Sequence, residues 1–278
     1  MSVTARLADI AAVGRDATSG GYRRLAWTDA DLTLREWFAG EAAALGLDLE
    51  VDRNGNMWAW WGDASAADAV VTGSHLDSVP DGGNYDGPLG VASALAAVAE
   101  LKRRGVQPRR PLAVACFTDE EGGRFGVACI GSRLAAGVLT HDRARALRDV
   151  DGVTFAEALT AAGRDPQALG PEPDRLARIG AFVELHVEQG RGLIDMNAAV
   201  GVGTAVLPHG RWRVDIAGQP NHAGTTLIAD RRDPMMGLAV LIESARREAA
   251  ERDSISHAAR ATVGKVQCTP NAVNAIPS

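Results

Sequence analysis

The sequence predicts an α/β fold, a mainly parallel sheet flanked by helices, followed by a smaller α+β unit. Three observations lead there. The run Ala69-Val70-Val71-Thr72 is β-branched and of strand length, and a helical segment from Pro88 to Arg104, closed by Gly105, follows it. Pro111 to Phe117 is almost continuously apolar, as in a parallel strand buried on both faces. From about Pro208 the pattern becomes strand, helix, strand, which suggests a separate unit rather than more parallel sheet. The expected division is therefore a larger domain at 1–207 and a smaller one at 208–278.

Taken in order, Thr4 to Val13 reads as a helix, and a glycine turn at Gly20 and Gly21 leads to Thr28 and Asp31, a capping box with Asp in place of Glu. The helix so capped runs to about Leu45, before Gly46. Asp48–Val51 and Met57–Trp61 read as strands around an Asn54-Gly55 turn, a strong hairpin signal. Trp58, Trp60 and Trp61 could suggest base stacking, but without a basic patch they read as core or subunit packing. Arg143 to Ala162 looks helical with an interruption. Ile179 onward alternates as a strand that would put Glu184, His186 and Glu188 on one face. In the smaller unit, Gly210–Ile216 alternates as an antiparallel strand, Pro220–Thr226 is a polar loop, Pro234 to Arg252 a helix, and Ala261–Cys268 a further strand.

The chemistry gathers at strand ends. His75 and Asp77, two apart, would leave one face if strand geometry persists, so that Asp77 could accept the second ring N–H of His75 and fix its tautomer for a metal. Asp86 precedes the first turn of the next helix, where the dipole favours an anion able to bridge cations. Asp119, Glu120 and Glu121 end the buried apolar strand, a costly position for three acids unless a cation neutralises them. Neighbours on extended backbone point in opposite directions, so of Glu120 and Glu121 one could ligate and the other address bound water. A lone strand histidine is usually a packing residue, but His186 brings a second imidazole to a third polar strand end.

Composition narrows the classes. The 278 residues are 46% hydrophobic, enough for a sizeable core, and the net charge of −6 comes without a Lys/Arg block, so a nucleic-acid partner is not expected. No apolar run approaches the roughly 20 residues of a membrane span, and no secretory leader is legible, so a cytoplasmic protein is expected. Cys116, Cys129 and Cys268 are odd in number and far apart, which suits buried thiols better than disulfides or a thiolate metal site. Any metal should then be held by histidines and carboxylates.

Four segments in this order, Gly73-Ser74-His75-Leu76-Asp77 with Asn84-Tyr85-Asp86-Gly87, Thr118-Asp119-Glu120-Glu121, Glu184-Leu185-His186-Val187-Glu188-Gln189 and Asn221-His222-Ala223-Gly224-Thr225-Thr226, resemble the M20-type dinuclear metallohydrolases. The third and fourth resemble its amidase (hydantoinase/carbamoylase) branch, with N-carbamoyl-L-amino acid hydrolase, allantoate amidohydrolase and β-ureidopropionase; related peptidases usually carry a carboxylate at the His186 position. The resemblance implies a catalytic domain with a lid or dimerisation domain and two divalent ions, zinc, manganese or cobalt. It implies that His75 and His186 bind one ion, Asp86 bridges, Glu121 binds the second ion, and Glu120 is the general base. Gln189 would touch an N-carbamoyl or ureido substrate. His222, stabilising the oxyanion, and Asn271 would reach the active site of the partner in a homodimer. Family members continue past the point matching Ser278 to complete both domains, with a substrate-carboxylate Arg and one more strand-end His. The resemblance therefore implies a C-terminally truncated chain. His141, His209 and His257 have no matching context. A peptidase acting on dipeptides and an inactive truncated relative are the alternatives.

Overall fold

The computed structural model describes residues 1–256 and 259–278; His257 and Ala258 lie outside the described residues. The chain forms two compact units, Met1–Asn197 and Ala198–Ser278, dividing earlier than the 207/208 boundary drawn from the sequence.

The first unit is built on a five-stranded sheet in the order β1-β2-β4-β3-β5, with β1 at Asp48–Val51, β2 at Met57–Trp61, β3 at Ala69–His75, β4 at Leu112–Phe117 and β5 at Ile179–Val183. β3 pairs in parallel with both β4 and β5, while the β1–β2 hairpin joins antiparallel at the β4 side. Period-two alternation assigns the two faces. Met57 and Ala59 of β2 with Val114 and Cys116 of β4 pack into one cluster, with Leu34, Phe38, Leu95 and Val98 from helices α2 (Asp29–Ala44) and α3 (Pro88–Arg103). Trp58, Trp60, Ala113 and Ala115 pack on the other face. β4 is therefore buried on both sides, as its apolar run requires. Trp58 and Trp60 serve the core, and the partly buried Trp61 lies under the Lys102 ammonium, 4.8 Å from the ring centre.

Several elements differ from expectation. The first helix, α1, is only Val3–Asp9. Thr28 makes no side-chain cap at α2; its hydroxyl donates to Leu25 O, and Asp31 instead accepts the Trp27 N–H at 2.8 Å and the Arg35 Nε–H at 2.9 Å. The interrupted helix resolves into α5 (His141–Ala146) and α6 (Phe155–Ala161), after α4 (Ile130–Ala135); a true capping box at Thr154 and Glu157 starts α6. β5 stops at Val183, so Glu184, His186 and Glu188 follow the strand and share no strand face. Glu188 instead accepts the N–H groups of Gly192 and Leu193 at the start of a short helix, Gly192–Asp195. Of the cysteines, Cys116 is buried, whereas Cys129 and Cys268 are partly exposed.

In the second unit, neither 210–216 nor 261–268 is a strand. A strand exists through its ladder, and neither segment has a partner among the described residues; Trp212 is 84% exposed. The pairing found is Asn221–His222 with Ala275–Ile276, antiparallel, and the unit also contains a 23-residue helix at Pro234–Ser256. No helix among the described residues is long and apolar enough to cross a membrane.

Candidate metal centre

Three adjacent parallel strands, β4, β3 and β5, deliver their carboxyl ends to one edge of the sheet, where an α/β fold places its ligands. His75 is the last residue of β3, in register with Phe117, the last of β4, and His186 lies three residues beyond the end of β5. Asp86 joins them from the segment leading into α3. Single donor atoms of His75, Asp86 and His186 all lie within 4.8 Å of one another.

Both imidazoles are oriented alike. His75 Nδ1 is 3.0 Å from Asp77 O and His186 Nδ1 is 2.9 Å from Val187 O; a carbonyl only accepts, so Nδ1 carries a proton in each ring, and in the neutral ring Nε2 keeps its lone pair. His186 Nε2 is 3.2 Å from Asp86 Oδ1. His75 Nε2 is buried without a hydrogen-bond partner, with Glu120 Oε2 at 3.7 Å outside hydrogen-bond reach. A buried ring nitrogen presenting a lone pair to a carboxylate and a second imidazole is the donor set of a divalent cation such as zinc, so the residues fit a metal ion.

Asp77 works differently from the sequence-based expectation. Its carboxylate is 3.5 Å from His75 Nδ1, and its two oxygens accept the backbone N–H groups of Glu120 and Glu121, each at 3.1 Å. The histidine is oriented mainly by the Asp77 carbonyl, while the carboxylate ties the end of β3 to the acidic loop after β4. Burial disfavours the His75 imidazolium most, but the hydrogen bond with Asp77 and the charges of Asp77, Glu120 and Glu121 outweigh it and raise the ring to about 9. Glu121 lies beside Asp86: burial first, then the Asp86 charge, raise it to about 7, with Glu120 adding and His75 opposing. Glu121 is outside the group of three converging donors. Asp119 is 1% exposed, and burial followed by the charges of Asp77 and Asp31 pushes its carboxyl well above the ordinary range.

The geometry around Asp86 depends on Gly87. Its backbone sits at φ 83°, ψ −58°, and a Cβ there would stand 2.5 Å from both Cε1 and Nδ1 of His75. Only glycine lets the segment carrying Asp86 pass this close to the imidazole. The Gln189 amide donates to Asp86 Oδ2, so this side chain rests on a candidate ligand.

A cavity of about 210 Å³ opens beside His75 and His186, lined also by Glu120, Glu184, Cys129 and Ser132. Ser74 Oγ donates to Glu184 Oε1 at 2.5 Å and belongs to the same wall. The sequence assigned no role at the site to Ser74, Cys129 or Ser132; Cys129 read only as a buried thiol, and Ser74 only as part of the His75 motif. Ser74 was reachable, being next to His75 on the strand, whereas residues 129 and 132 arrive through a loop whose path no local pattern encodes.

In the second unit, His222 Nδ1 accepts the Gly224 N–H at 3.0 Å, so a neutral ring carries its proton on Nε2, a donor. Asn271 is exposed at φ 53°, in the left-handed region that asparagine tolerates.

Comparison with known proteins places the chain in a family. Residues 71–275 match the description of Peptidase family M20/M25/M40. The chain is 38% identical over 269 residues to a ureidoglycolate hydrolase of Oryza sativa subsp. japonica, covering 95% of this chain and 55% of that protein. It is 37% identical over 273 residues to an N-carbamoyl-L-amino acid amidohydrolase of Geobacillus stearothermophilus, covering 98% and 65%. Among solved structures, an amidase of the hydantoinase/carbamoylase family from Burkholderia vietnamiensis superposes with a TM-score of 0.80 at 34% identity, covering 99% of this chain and 65% of that one. The chain thus spans somewhat more than half to about two thirds of the length of these relatives. Over that span, the order of its strands, its cluster of histidines and acids, and the match across 71–275 make it a member of peptidase family M20/M25/M40.

Proposed function

We propose that this chain carries most of the catalytic unit of a metal-dependent hydrolase that cleaves linear ureido C–N bonds, of N-carbamoyl-L-amino acid or allantoate type. The observation that carries the reading is the convergence of His75 Nε2, His186 and an Asp86 oxygen at the sheet edge, beside Glu120 and Glu121. His75 and His186 would hold one ion, Asp86 would bridge, and Glu121 would hold the second; zinc, manganese and cobalt all suit these donors. Such ions, when bound, polarise the scissile carbonyl and acidify water. Glu120 takes the proton of the attacking water and returns it to the leaving nitrogen, a role worth about 10² to 10⁴ in rate. Gln189 turns from Asp86 to the substrate. His222, whose Nε2 is free to donate, and Asn271 serve the partner's site in a homodimer joined through the smaller unit.

The test is ammonia release from N-carbamoyl amino acids and allantoate by the purified chain loaded with zinc or manganese, with bound metal counted in parallel. Glu120→Gln should abolish turnover and leave the metal in place; undiminished turnover would sink the assignment. The family match also favours a peptidase reading, which cleavage of dipeptides without ammonia release would establish instead. Metal binding without turnover of either class would point to a binding role, or to a site completed by elements present in the longer relatives.

A further inference from the structure

The cavity beside His75 and His186 holds a thiol that the proposed mechanism does not use. Cys129 Sγ stands 3.2 Å from Glu120 Oε1, within reach of an S–H donor. The approach is built into the backbone. The Cys129 N–H donates to Glu120 O at 2.6 Å, and the next two residues return to the same strand end, Ile130 N–H to Asp119 O at 3.1 Å and Gly131 N–H to Thr118 O at 3.0 Å. The loop leaving β4 is thereby closed so that position 129 must lie beside position 120.

Cys129 itself sits at φ 59°, ψ 37°, in the left-handed region, which costs a residue with a Cβ about 1–2 kcal/mol relative to the right-handed one. That strain aims the side chain at the carboxylate, and an observed strain of this kind is a pointer to use. Burial first, then the hydrogen bond with Glu120 and its charge, push the thiol up to about 12, so at neutral pH it is a donor. The opposite oxygen of the same carboxylate, Oε2, faces His75 Nε2, the buried ring nitrogen that lines this cavity without a partner.

We infer that Cys129 is a positioning residue for Glu120: its S–H bond holds Oε1, leaving Oε2 turned toward the His75, Asp86 and His186 donors. The inference rests on Glu120 being the base of the proposed reaction. It adds that the base works through one oxygen only, with the other fixed by a group of this chain.

Two measurements test it. The first needs no turnover. Iodoacetamide labelling of Cys129 at pH 8.5, followed by peptide mass spectrometry with Cys268 as internal reference, should be slow in the unaltered chain. It should accelerate about tenfold in Glu120→Gln, which removes the charge that suppresses the thiolate, one pKa unit being a factor of ten. An unchanged Cys129 rate would overturn the contact, whatever the chain hydrolyses.

The second uses turnover of a carbamoyl substrate. Cys129→Ala and Cys129→Val should each lower kcat roughly 10- to 100-fold with KM within a factor of about two, the scale of a misplaced catalytic group. Cys129→Ser, which restores a donor of similar size, should recover most of the loss. Full kcat in the alanine variant, or a serine variant as impaired as alanine with the same melting temperature, would overturn the positioning role. If the unaltered chain shows no turnover, the labelling result decides the contact alone.

Discussion

Replacing Gly87 by alanine tests the link between local backbone and metal centre. Gly87 holds φ 83°, ψ −58°, and an added Cβ would lie 2.5 Å from Cε1 and Nδ1 of His75 and 2.6 Å from His75 O. Carbon contacts settle near 3.5–4.0 Å, so the ring or the Asp86 segment must move by about 1 Å. The backbone conformation costs an L-residue about 1–3 kcal/mol. Relief of the overlap in a packed site costs about 1–3 kcal/mol more. The total of about 2–6 kcal/mol is large against the 5–15 kcal/mol that holds a typical domain. Urea unfolding followed by tryptophan fluorescence should show the midpoint falling by about 1 M or more, with m of roughly 1–3 kcal/mol/M. Calorimetric zinc titration should show affinity reduced about 10- to 100-fold, as when a ligand's support is disturbed. Gly83→Ala is the control: it is exposed, with nothing within 4 Å of the added Cβ, and should be neutral or slightly stabilising. A Gly87→Ala protein with the midpoint and zinc affinity of the parent would refute the claim that glycine is needed to bring Asp86 past His75.

Asp52→Ala should cost about 3–5 kcal/mol by urea unfolding, because Asp52 accepts the N–H groups of Asn54 and Asn56, Asn56 Nδ2 and Trp58 Nε1, all buried donors that would be left unpaired. It should also loosen the acidic loop, since Asn56 Oδ1 receives the Thr118 N–H at 3.0 Å. Asp149→Asn should destabilise at pH 7 and lose its effect in acid. Burial alone would raise the Asp149 carboxyl, but hydrogen bonds from Arg124, Val153 and Asp151 together with the Arg124 charge hold it below its usual value. A depressed carboxyl contributes stability above its unfolded pKa and loses it as pH falls through the folded one, so the parent and variant melting curves should converge below about pH 4. Zinc at about 100 times its dissociation constant should stabilise the first unit by roughly 2.7 kcal/mol, reversed by chelator. His75→Ala should melt at the same temperature with or without zinc.

The strands and the polar ends that carry the candidate ligands were legible because each is a local matter. The β-branched run at 69–72 and the apolar run to Phe117 mark their own strands, the Asn54-Gly55 turn marks the hairpin, and His75, Asp86, Glu120, Glu121 and His186 stand where those patterns stop. Strand order, by contrast, is set by pairing across the sheet. The segments at 210–216 and 261–268 carry strand-like alternation but have no paired neighbour among the described residues, and alternation without a ladder leaves them without regular structure. The capping pattern at Thr28 and Asp31 was outcompeted by Arg35, whose guanidinium holds Asp31, Gly55 O and the Thr118 hydroxyl at once.

By itself, the sequence determined which residue types reach the edge of the sheet, since period and turn chemistry act over a few neighbours. Only the tertiary structure decided what those residues touch. The Asp77 carboxylate went to the backbone of Glu120 and Glu121, Gln189 to Asp86, and Cys129 to Glu120, because each contact joins groups separated along the chain and fixed by loop closure or strand register. Gly87 belongs to both levels: its type is written in the sequence, but the need for it appears only when the His75 ring is found where a side chain would have stood.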